Sequence, residues 1–232
     1  MAQYEPAIRR TGAYAQQIDA GLRAHMNSIY GLMGAAMLVT GVVAYVFGQD
    51  LLNAMQGQQT LIPVGVLGAL FSSPMIYVIM FAPLAIVFLF GAMVNRMNVS
   101  AAQTVFWVFA ALMGLSLSTI FVRFTGISIA QTFFATAIAF LGLSLYGYTT
   151  KTNLSGMGSF LIMGVIGLIV ASLINLWLQS SGLQFAVSLL GVLIFAGLTA
   201  YDTQRLKSEY VMIAQSGGSA QMLQASAVSG AL

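Results

Sequence analysis

Apolar residues fall into six long runs separated by short polar breaks: Met26 to Gly48, Pro74 to Val94, Ala101 to Val122, Ile127 to Tyr148, Ser159 to Leu178 and Leu183 to Tyr201. Each has about the 20 residues a helix needs to cross a bilayer core. Leu51 to Leu70 is less apolar and is broken by Gly57, Pro63, Gly65 and Gly68. It reads as an outer loop or a re-entrant piece. After Lys207 the chain turns polar over Ser208 to Gln224, and Ala225 to Leu232 then looks like the opening of a further apolar helix. The pattern predicts an all-α, polytopic transmembrane helix bundle, with six spans and the start of a seventh. On this reading residues 26–232 form the bundle, cut before its final helix.

The first 25 residues behave differently. Tyr14, Ile18 and Leu22 recur every four residues, and Arg10, Asp19 and Arg23 lie elsewhere around the helix. The spacing predicts an amphipathic cytoplasmic segment over 1–25, lying on the membrane surface; a frayed polar tail fits equally well. The acidic residues Glu5 and Asp19 and the lack of a short apolar core exclude a signal peptide.

Composition sharpens the class. Of 232 residues, 59% are hydrophobic and only 6% charged, against about 25% charged in soluble domains. So little charge cannot cover a globule in water. A soluble enzyme and a nucleic-acid binder are excluded, and the lipid bilayer is the expected partner. The pI near 9.3 rests on eight basic residues. If the N-terminus is cytoplasmic, Arg9, Arg10, Arg23, Arg96, Lys151, Arg205 and Lys207 lie inside and only Arg123 lies outside, a strong positive-inside bias.

Gln103–Leu117 and Gln131–Leu145 match at eight of fifteen positions. They open the third and fourth spans, which run in opposite directions. An inverted repeat of the transporter kind gives such a match, and so does chance in an alphabet of Ala, Phe, Leu, Gly and Ser. Gly164, Gly167, Gly191 and Gly197 read as small residues that let helices approach.

Candidate chemistry is sparse. The acids are Glu5, Asp19, Asp50, Asp202 and Glu209, and only Asp202 follows directly on a span, in AYDTQRLK. Charges deep in a span cost about 2.5–3.5 kcal/mol, so those that persist usually serve a function. Asp202 reads either as such a group or as an interfacial carboxylate paired locally with Arg205, three residues on. Arg96, in the VNRMNVS turn, shares its depth and could pair with it across helices; as an orientation signal it needs no partner. Pro83 kinks the second span, as a hinge or as a static bend. The chain has no cysteine and one histidine, His25, so Cys-based metal sites and a Ser-His-Asp site away from His25 are excluded. Tyr201-Asp202 echoes an intramembrane aspartyl protease, yet no G-x-G-D partner follows. No enzyme and no cofactor are expected, and no metal site is assigned.

GYTTKTNLSGMGSFLIMGVIGLIVASLIN (Gly147–Asn175) and GVLIFAGLTAYDTQRLKSEY (Gly191–Tyr210) resemble the Bax inhibitor-1 family in its bacterial YccA-like branch. The resemblance extends from NSIYGLMG to the end of the chain. It implies a seven-helix fold in the bacterial inner membrane, and a pH-sensitive calcium-leak channel with calcium or protons moving through it. It implies further that Asp202 is one of two aspartates acting as proton sensor, and that Arg96 stabilises the closed state. The second aspartate belongs in the seventh helix and has no counterpart here. A different function class, modulator or substrate of the membrane AAA protease FtsH, is implied by the same branch.

Overall fold

The computed structural model describes the backbone of residues 5–93 and 97–232, and side chains from residue 18 onward outside 94–96. The described chain is built of helices: α1 (Glu5–Met55), α2 (Val64–Phe71), α3 (Met75–Met93), α4 (Val99–Leu117), α5 (Ile120–Arg123), α6 (Gly126–Thr149), α7 (Ser155–Leu178), α8 (Ser181–Gln215) and α9 (Ala220–Ala231). Among the described residues, six stretches are long and apolar enough to cross a membrane: Ile18–Met55, Met75–Met93, Val99–Arg123, Gly126–Thr149, Ser155–Leu178 and Ser181–Gln215. They coincide with the six apolar runs of the sequence.

The boundaries carry two differences. The first span extends toward the N-terminus, because α1 is one unbroken helix from Glu5. The sixth run does not end at Tyr201. At 35 residues, α8 is about 50 Å long, well beyond a bilayer core of about 30 Å. Asp202 therefore lies inside a continuing helix and not just beyond its end. The segment read as an outer loop holds the last turn of α1, a turn at Gly57 (φ 68°) and the short α2. Pro83 lies buried within α3, which continues as helix on both sides of it.

The side chains face outward as a bilayer requires. Trp177 is 94% exposed and Phe160 73%, as are many other large apolar residues along the spans. Exposure on that scale would be ruinous in water, and lipid removes its cost.

The helices group into two compact units, Met1–Ile129 with Ile213–Leu232, and Ala130–Met212. In the first, α1, α3, α4 and α9 meet at Phe90, Ala102, Phe106 and Val228, with Leu32 and Ala36 packed against them. Gly114 lets α4 press on α1: a Cβ there would stand 2.6 Å from the Thr40 carbonyl oxygen. The Thr40 hydroxyl donates to the Ala110 carbonyl beside it (2.8 Å). Asp50 is only 2% exposed. Its carboxylate accepts from the backbone N–H of Leu61 (3.1 Å) and Ile62 (2.7 Å), folding the α1–α2 connection back on α1. Farther toward the N-terminus of α1, near its middle, His25 and Ser226 of α9 share a buried hydrogen bond of 3.4 Å.

In the second unit α7 and α8 form an antiparallel pair. α7 ends at Gln179 in the left-handed conformation (φ 48°), and the Asn175 side chain accepts from Ser180 N–H (3.0 Å) to tighten the turn. Gly164 admits Ile194, and Gly197 admits Leu161. Gly167 has open space around its Cβ position, and Gly191 meets only Leu168 at an ordinary 3.8 Å. Two of the four expected packing glycines are thus close-approach sites. The repeat is also unequal in use: Gly114 is pressed against α1, whereas its counterpart Gly142 faces open space.

Candidate functional site

The site is the turn of α8 that carries AYDTQRLK, and three of its sides hold distinct partners. Ala200 lies against α6, where a Cβ on Gly147 would overlap the Ala200 carbonyl oxygen. Tyr201 lies against α7, where a Cβ on Gly158 would come within 2.5 Å of the ring. Between them sits the α6–α7 connection. The Gln204 amide donates to the Thr152 carbonyl (2.9 Å), and its oxygen accepts from Leu154 N–H (2.8 Å). One turn further, Lys207 Nζ donates to the Tyr148 carbonyl (3.0 Å) and stands 5.1 Å from the Tyr148 ring centre. A cation on the last carbonyls of α6 is favoured by the helix dipole and by the ring.

The fourth side is the one that matters for chemistry. A groove of about 430 Å³ runs between α6 and α8, lined on α8 by Val192, Phe195, Ala196 and Thr199 and on α6 by residues including Thr136 and Phe140. Among the described residues, no charged side chain lines it. Asp202 follows Phe195 by seven residues and Thr199 by three, so helical spacing places it at the end of this stripe. Asp202 is exposed while its neighbour Thr203 is buried. Arg205 is the charged neighbour that acts on it electrostatically. Ser144 of α6, one turn before Gly147, buries its hydroxyl with no hydrogen-bond partner among the described residues.

Arg96 lies outside the described residues, and the expected Asp202–Arg96 pair with it. Among the described residues no group of three or more His, Cys, Asp or Glu side chains comes together as a metal site. Most hydroxyls within the spans bond back to their own helix: Thr199 to Phe195, Thr203 to Thr199, Ser188 to Gln184.

Gln204, Lys207, Gly147 and Gly158 join Asp202 here without any one of them standing out by residue type; all four lie in the two segments that carry the family resemblance, Gly147–Asn175 and Gly191–Tyr210. The structure explains why both are distinctive: they are the two halves of one junction.

Apolar helices in this number, with lipid-compatible outer faces, define a polytopic all-α membrane protein. The chain belongs to the Bax inhibitor-1 family: the family model described as inhibitor of apoptosis-promoting Bax1 matches residues 22–231. The uncharacterized protein RP147 of Rickettsia prowazekii is 45% identical over 192 residues, covering 83% of this chain and 76% of the relative. A Caulobacter vibrioides protein is 43% identical over 198 residues, with the same shares covered. The inner membrane protein YbhL of Escherichia coli is 40% identical over 193 residues, covering 83% of this chain and 77% of that protein. No solved structure matches the chain.

Proposed function

We propose that this protein is a pH-sensitive ion-leak channel of the bacterial inner membrane, passing calcium, with its N-terminus in the cytoplasm and Asp202 as its proton sensor. The observation that carries this reading is the position of Asp202. It stands three residues beyond Thr199, at the end of an α6–α8 groove that no charged side chain lines among the described residues, on a helix turn held on its other sides. A carboxylate in that place changes the local charge by a full unit when it binds a proton. In this reading the ionised carboxylate holds the cytoplasmic end shut, and protonation releases it. The sign follows: the leak is low where Asp202 is ionised and rises as pH falls through its titration.

Calcium efflux from dye-loaded liposomes, followed across pH, tests the proposal. The wild type should leak faster as pH falls. Asp202→Asn, uncharged at every pH, should leak at a level independent of pH. A wild type no leakier than empty liposomes would dismiss the channel; pH dependence surviving in Asp202→Asn would dismiss the sensor.

A second reading, modulation of the membrane protease FtsH, is favoured by one feature. The helix that begins at Glu5 projects an extended N-terminal arm ahead of the first span. A protease that engages cytoplasmic segments could grip it there.

A further inference from the structure

We propose that Gln204 is a positioning residue that sets the rotation of α8 and thereby the direction Asp202 faces at the end of the α6–α8 groove. The inference rests on the reading of Asp202 as proton sensor. Two residues along a helix turn through about 200°, so Gln204 and Asp202 lie on opposite sides of α8. Holding one side fixes the direction of the other. Gln204 holds its side by two hydrogen bonds of opposite polarity, to Thr152 O (2.9 Å) and Leu154 N (2.8 Å). These anchors are backbone atoms of the chain between α6 and α7, so they cannot swing away as a side chain could. A donor and an acceptor in one planar amide can satisfy both only in one orientation, which makes the contact a register pin. The packing of Tyr201 on Gly158 and Ala200 on Gly147 is apolar or steric and sets distance more than rotation.

The titratable and charged groups on the packed elements are few. Besides Asp202, α8 brings Tyr201, Arg205, Lys207, Glu209 and Tyr210, α6 brings Tyr146 and Tyr148, the connection brings Lys151, and α7 brings none. Arg205 is the charge that a rotation of α8 would not separate from Asp202, since both ride on the same helix. What rotation changes is the exposure of Asp202 and its relation to charges on other elements. A change of pH midpoint, and not of maximal leak, is therefore the signature of a lost pin.

The test uses the full chain in calcium-loaded liposomes, with the pH profile as readout. Gln204→Met keeps length and volume and removes both hydrogen bonds. It should move the midpoint by about threefold in proton concentration, about half a pH unit, at unchanged maximal leak. The double variant Asp202→Asn with Gln204→Met should behave as Asp202→Asn alone, because the pin acts only through the carboxylate. Should Gln204→Met fail to elute as a folded species, Gln204→Leu takes its place. That variant is likewise uncharged, removes both hydrogen bonds, and should shift the midpoint in the same way. A folded Gln204 variant with the wild-type midpoint, or a double variant that adds a further change, overturns the inference alone. A pH profile that survives Asp202→Asn overturns the sensor and the inference with it.

Discussion

Replacing Gly147 by alanine tests whether α6 and α8 touch where the site requires it. The new methyl would overlap the Ala200 carbonyl oxygen and lie 3.0 Å from its carbonyl carbon and Cα. These are backbone atoms in mid-helix, so no rotamer change relieves the clash; α8 must move away. Overpacking of this kind costs about 1–3 kcal/mol, and rigid backbone argues for the upper end, about 3. Alanine recovers about 1 kcal/mol over glycine in a helix interior. The net loss is about 2 kcal/mol, which for a protein of this size lowers the melting temperature by about 4–8 °C. Gly142→Ala is the control in the same helix. Its Cβ meets nothing within 4 Å, so the helix-propensity gain stands alone and the variant should be neutral or slightly more stable. Melting of both variants in detergent, followed by tryptophan fluorescence or by loss of the monodisperse peak, decides. Equal melting temperatures for the two would refute the α6–α8 contact, and with it the placement of the Asp202 turn.

Three further outcomes are expected. Asp50→Ala strips the acceptor from two backbone N–H groups and should cost about 1–3 kcal/mol, with faster hydrogen exchange at Leu61 and Ile62; unchanged exchange there would contradict the clamp. Single cysteines at Arg123 and Lys151, in a chain with no other cysteine, should react with an impermeant reagent from outside only at 123 if the N-terminus is cytoplasmic; reaction at 151 alone would invert the topology. Deleting residues 1–20 should leave the melting temperature and the leak intact, since the spans satisfy their own backbone hydrogen bonds. If the protease reading holds, the same deletion abolishes handling by FtsH.

The sequence disclosed the spans well because insertion into a bilayer is costly for polar groups and leaves an unmistakable apolar run. It disclosed their ends poorly. Hydropathy reports what lipid tolerates, not where a helix stops, so α8 runs on through Asp202, Thr203 and Gln204 as a polar helix that no apolar window registers. Asp202 itself was legible as an acid beside a span. Gln204 and Lys207 were not, because their partners are the backbone atoms of Thr152, Leu154 and Tyr148, some fifty to sixty residues away in the chain. A backbone partner leaves no mark on the identity of the residue that supplies it. Glycines gave half a signal. Gly164 and Gly197 are pressed by neighbouring side chains, and Gly167 and Gly191 are not, although nothing in their local sequence tells them apart.

The central claim is that one carboxylate converts pH into a change at the end of the α6–α8 groove. Infrared difference spectroscopy on the reconstituted protein measures that carboxylate directly, with Asp202→Asn subtracted to isolate its carbonyl band. A protonated-carboxyl band absent from Asp202→Asn is expected, with a titration midpoint that coincides with the midpoint of the calcium leak. A carboxylate that stays ionised across the range in which the leak switches on would contradict it.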